Sequence, residues 1–198
     1  MRGVSKLSTR PYSSKRYSWA TQVKERKENE TIWDLRRRAP AHFWARAENA
    51  YTCAKVLFDQ KGETHNSALY EGFMRESSIA LELILNALIA EQSNAAPPNS
   101  HDVFDLWNKA NLPKLSSDDL MRLTEVTEVL YWSGRYAAPT SDANLKKGEE
   151  RSKKYQSSKP IGSTVIISPT PYGWDEFEKL FRIVLNQYFE LHAENRPD

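Results

Sequence analysis

Residues 74–90 read MRESSIALELILNALIA, and from Ile79 to Ala90 only Glu82 and Asn86 interrupt an otherwise apolar run. Four residues apart on a helix, these two fall on one narrow face. A helix that is apolar on its other sides has to be surrounded by partners. The stretch is therefore expected to form the central helix of a bundle, running from about 66 to 92 with one internal polar stripe. The remaining helices are its cover.

Residues 41–60 place Phe43, Ala47, Ala50, Ala54 and Leu57 at helical spacing, ahead of a Lys61-Gly62 stop. Beyond Pro97-Pro98, Ser100 is a candidate cap for a short helix over 101–110. Ser116 is a candidate cap for a fourth helix, with Asp118 and Asp119 in its first turn and a stripe of Leu120, Leu123, Thr127, Leu130 and Tyr131 as far as Gly134. Trp174, Phe177, Phe181, Val184 and Tyr188 mark a last helix over 173–192. These five helices make an all-α bundle over residues 39–193. Between the last two, residues 137–170 change character: charged and small, they read as a mobile insertion. Within it, 164–168 (TVIIS) is the only β-like run, and the sequence offers it no partner strand.

Charge is unevenly placed. Residues 1–38 hold eleven Lys/Arg against four Asp/Glu, a net of +7, while the rest holds 17 against 22, a net of −5. The first part reads as a basic, partly disordered arm, with a charged helix over 21–38 anchored by Ile32, Trp33 and Leu35 and ended by Pro40. Within it Tyr12, Tyr17 and Trp19 alternate with Lys15 and Arg16. Aromatics among cations stack on bases while the cations neutralise phosphates. Lys15, Arg16, Tyr17, Arg36, Arg37 and Arg38 are accordingly the candidate nucleic-acid contacts; an ordinary solvated tail is the plain alternative.

The single Cys53 excludes an intrachain disulfide and fits a reducing cytoplasm. No run reaches the roughly 18–20 apolar residues of a membrane span. His42, His65 and His192 lack companions at metal-ligand spacing, so no metal site is expected, and no cofactor. The sequence also lacks a Gly-rich phosphate loop, a nucleophile elbow and a paired-carboxylate motif.

Three short motifs resemble the HEPN family (higher eukaryotes and prokaryotes nucleotide-binding), an all-α bundle. Glu82-Leu83-Ile84-Leu85-Asn86-Ala87 is similar to the Glu-Leu-Ala-Leu-Lys-Ala run of the family's second helix. His101-Asp102, followed by Leu106, resembles the His-Asp that opens its third. Arg135-Tyr136-Ala137-Ala138-Pro139 is similar to an Arg-Tyr-Pro turn ending its fourth. The resemblance implies a ligand site at Glu82, Asn86, His101, Arg135 and Tyr136, with Arg135 either gripping a phosphate or pairing with Glu82. Each has a plain structural role beside it: Glu82 pinned to a donor, His101 packed, Arg135 capping its helix.

The chain also departs from the family. Asn86 stands where a Lys is usual, and two alanines separate Arg135-Tyr136 from Pro139. The family's ribonucleases carry an Arg, four to six residues, then His on a bundle helix. The one literal match, Arg36 or Arg37 with His42, straddles Pro40 ahead of the bundle, and with 14 arginines and four histidines about one such match arises by chance. No catalytic residue is therefore assigned. Three functions stand in order. The first is a non-catalytic binding or accessory protein for nucleotide, RNA or a partner, which the family's prokaryotic defence and toxin–antitoxin settings suggest is a nucleotidyltransferase-like protein. The second is a divergent HEPN ribonuclease. The third is a structural helical module that forms a homodimer.

Overall fold

The computed structural model describes residues 31–64, 67–133, 142–155, 158–161, 164–167 and 172–195. Among these, seven helices run in chain order: α1 (Ile32–Arg38), α2 (Pro40–Thr64), α3 (Ser67–Ser93), α4 (Val103–Lys109), α5 (Ser117–Glu128), α6 (Asp142–Tyr155) and α7 (Trp174–Glu194). A single π-helical turn, Val129–Ser133, extends α5. Two short strands, β1 (Ser158–Ile161) and β2 (Thr164–Ile167), lie between α6 and α7. None of the described helices is long and apolar enough to cross a membrane.

The 74–90 stretch lies in α3, and α3 is the centre. Ala80, Leu81, Ile84, Leu85, Ala87, Leu88 and Ala90 are fully buried. α2 packs against it, two residues away in the chain: Leu57 lies against Gly72, and Arg46, Asn49 and Cys53 of α2 line one surface depression with Glu76, Ile79 and Leu83 of α3. The buried positions of α2 are Ala47, Ala50 and Ala54, whose small side chains let the two helices approach closely. α7 closes another side of α3 with Phe177, Leu180, Phe181, Val184, Leu185 and Tyr188 buried at 3–4 residue spacing. Phe177 is a hub, with ring centroids 5.7 Å from Tyr51, 6.2 Å from Phe73, 5.4 Å from Trp174 and 5.6 Å from Phe181.

Several boundaries differ from expectation. Lys61-Gly62 does not stop α2, which runs on to Thr64. A lone glycine near a helix end costs only about 1 kcal/mol, too little to end a helix held by α3. Pro40 opens α2 as well as separating it from α1, as suits a residue with no amide proton to place. Ile32 and Trp33 are exposed rather than anchoring, and Leu35 alone buries α1. The cap of α4 is Asp102, whose carboxylate accepts from the Asp105 amide at 3.1 Å; Ser100 instead accepts from the Asp102 amide. Ser116 does cap α5, accepting from the Asp119 amide.

The segment expected to be a mobile insertion contains a fourteen-residue helix and a hairpin. α6 shows no apolar stripe, which is why it did not read as a helix. It is built from good helix formers, with Asp142 in its first turn and Lys153 and Lys154 in its last, favouring the helix dipole. It packs on α5, where Gly148 lies against the Glu128 carboxylate so closely that a Cβ at 148 would overlap it. The 164–167 run is not alone either, since β2 pairs antiparallel with β1, Ser158 opposite Ile167 and Ile161 opposite Thr164. The partner strand, Ser-Lys-Pro-Ile, carries a proline that hides it from any β-propensity reading.

Candidate ligand site at the head of the fourth helix

Four elements bring polar groups together where α4 begins. α3 presents Glu82, and one turn later Asn86. The loop into α4 brings His101 up to them, with Nδ1 3.1 Å from Glu82 Oε1. The π-helical turn at the end of α5 carries Tyr131, whose ring meets His101 edge-on at 6.3 Å. Such turns displace side chains from the regular helical face and recur at functional sites. α6 completes the group: Lys147 Nζ donates to Asp102 Oδ2 at 2.9 Å and lies 3.8 Å from Asp105.

Burial separates the roles. Asp102 is 1% exposed, and its two oxygens are spent on the α4 cap and on Lys147. Glu82 is 14% exposed at its side chain and His101 41%, so the pair opens toward solvent on the histidine side. Asn86 is buried, and its Oδ1 has no hydrogen-bond partner among the described residues. A buried acceptor in that condition costs about 1–3 kcal/mol unless a donor meets it. Among the described residues, no three His, Cys, Asp or Glu side chains are grouped to hold a metal ion.

Of the expected site residues, Glu82, Asn86 and His101 thus come from neighbouring elements, with Glu82 and His101 in contact. Arg135 and Tyr136 lie outside the described residues, as do Lys15, Arg16 and Tyr17. The expected pairing of Glu82 with Arg135 falls outside the described residues; among the described ones Glu82 meets His101. Arg36, Arg37 and Arg38 form the last turn of α1. Arg38 donates to the side chain of Asn94, which closes α3 at φ 48°, and the Arg37 guanidinium sits 4.5 Å over the Trp33 ring. His42 is exposed on the first turn of α2. Partial burial first, then Arg46 and Arg36, hold its pKa below the ordinary histidine value. Sequence reading missed Lys147 and Tyr131, because nothing in the sequence ties 131 or 147 to 101.

A double-mutant cycle on Glu82→Gln and His101→Ala checks the pair. We expect a coupling of about 0.5–1 kcal/mol in chemical denaturation, small because the histidine is partly solvated. A coupling of zero would show that the two side chains do not support one another.

Comparison with known proteins places these residues in a family. The HEPN domain model matches residues 41–155, from the start of α2 to the end of α6. No curated protein and no solved structure gave a match. The matched segment spans more than half of the chain and includes the Glu82 run, the His101-Asp102 turn and α6, and the chain belongs to the HEPN family.

Proposed function

We propose that this chain is a non-catalytic HEPN protein that engages RNA through its cationic N-terminal segment and uses the bundle as a scaffold, serving as an accessory factor beside a partner such as a nucleotidyltransferase-like protein. The observation that carries this reading is how the motif's polar groups are spent. Asp102 is buried and occupied by the α4 cap and Lys147, and Glu82 is occupied by His101. These contacts join α3, α4 and α6, which gives the motif's polar groups a structural use. The +7 of residues 1–38 supplies the charge that a phosphate backbone requires.

The test is full-length protein with end-labelled RNA of mixed sequence. Binding without cleavage is expected. Affinity should fall steeply with salt, by about 0.7 in log K per log salt for each phosphate neutralised on a single strand. Deleting residues 1–30 should weaken binding at least about tenfold at ~0.1 M salt and leave the thermal transition in place. The deletion stops there because Leu35 is buried. Unchanged binding after the deletion would move the interface onto the bundle.

A divergent ribonuclease is the second reading, and the His42 environment favours it. A histidine kept neutral beside Arg36 and Arg46 has the protonation state of a general base. RNA cleavage that vanishes in His42→Ala or His101→Ala would replace the first reading with this one.

A further inference from the structure

We propose that α1 is a base-stacking platform for single-stranded nucleic acid, in which the Trp33 indole takes an unstacked base and Arg36 and Arg37 neutralise the flanking phosphates. The inference rests on the reading that the N-terminal segment engages nucleic acid, and it names the form of nucleic acid and the residue that selects it.

At 62%, Trp33 is the most exposed large hydrophobic side chain among the described residues, on a helix whose only buried residue is Leu35. An exposed tryptophan alone says little. What distinguishes this one is its company. Residues 33, 36 and 37 share one helical face at i, i+3 and i+4. The Arg37 guanidinium lies 4.5 Å over the ring centroid, so one indole face already carries a stacked cation. The high exposure of the side chain leaves ring surface on which a base can lie.

The one acidic residue of α1, Asp34, is committed to the helix start. Its Oδ2 accepts from the Thr31 amide at 3.1 Å and from the Thr31 hydroxyl at 2.6 Å, forming a capping box. Arg38 turns away to Asn94 at the end of α3, a contact between the helix and the bundle. Residues 1–30, which lead directly into α1, add eight Lys/Arg against three Glu.

A duplex would not use this feature, because its bases are already stacked; a single strand offers a free π-face to every ring it meets. A lipid surface fits less well. Ile32 and Trp33 are the only large apolar side chains that α1 exposes, and two residues bury too little to hold a helix on a membrane.

The test compares the full-length chain with Trp33→Ala, Trp33→Phe and Arg37→Gln. Fluorescence anisotropy is read with a labelled twelve-nucleotide poly-uridine strand and with a labelled RNA duplex of equal length. Trp33→Ala should weaken single-strand binding about tenfold, the effect of losing one base stack, and leave duplex binding and the salt slope unchanged. Trp33→Phe should recover most of the loss. Arg37→Gln should lower the salt slope by about one phosphate's worth on both probes. Single-strand binding by the wild type that Trp33→Ala does not change would overturn the platform while leaving the N-terminal interface standing. No binding of either probe at low salt would instead remove the reading on which it rests. Anionic phosphatidylserine vesicles provide a further arm. Vesicle binding lost in Trp33→Ala, with the strand unaffected, would make Trp33 a lipid anchor and overturn the proposal.

Discussion

Replacing Phe177 with alanine is expected to cost about 3–5 kcal/mol of folding stability, the range for deleting a fully buried aromatic ring. Phe177 is 0% exposed and stands among Tyr51 from α2, Phe73 from α3, and Trp174 and Phe181 from its own helix. Truncation removes a ring that meets rings from α2 and α3, and the surrounding rings cannot close the gap without leaving their own tilted and edge-on geometries. Phe189 on the same helix is 45% exposed, and its truncation should cost well under half as much. Urea denaturation of both variants measures the contrast. A Phe177→Ala cost below about 1.5 kcal/mol would mean that the cluster is not a packed core.

The second large effect belongs to Asp119. Its side chain is 3% exposed, yet it accepts from Lys179 at 2.6 Å, from Arg122 at 2.7 Å and from the Ser116 hydroxyl at 2.8 Å. Burial alone would raise its pKa; the hydrogen bonds from Lys179, Ser116 and Arg122 outweigh this and hold the carboxyl below its ordinary value. A depressed folded pKa stabilises the protein above the unfolded carboxylate's pKa, near ~4, and that stabilisation is lost as pH falls through the folded value. Asp119→Asn should therefore cost about 3 kcal/mol at neutral pH, the low end for a broken buried pair, because Lys179 is half exposed and can turn to water. The difference from wild type should shrink on acidification from about pH 5 toward pH 2, as wild-type Asp119 becomes protonated. A difference that stays constant across this range would show that the carboxylate's charge does not tie α7 to α5.

The elements that could be read from the sequence are those whose burial is written as a period. α3, the Ala47–Ala50–Ala54 seam of α2 and the aromatic stripe of α7 are each a one-dimensional pattern that a folded helix turns into a face. The same reading failed at α6 and at β1. α6 is held by Lys147 on Asp102 and by a glycine under Glu128, and such contacts leave no periodicity. The site divides in the same way. Glu82 and Asn86 stand out because they break an apolar run, and His101-Asp102 because it stands at a helix start. That His101 comes back onto Glu82 depends on how the loop before α4 folds, and sequence spacing says nothing about that.

The matched family segment ends at residue 155, but the helix that completes the aromatic cluster begins at Trp174. Tyr51 donates to Glu178 at 2.9 Å across 127 residues of chain, and His192 meets Glu91 at 3.2 Å across 101. α2 and α3 can pair as soon as both are made, since two residues separate them. The face they turn toward α7, including Phe73, cannot be covered until the chain has been made well past residue 174. During synthesis at about 5–20 residues per second, that face waits several seconds for its cover. The most apolar of the described helices is thus made early and enclosed late, and during this interval the nascent chain is most exposed to aggregation and most in need of a chaperone.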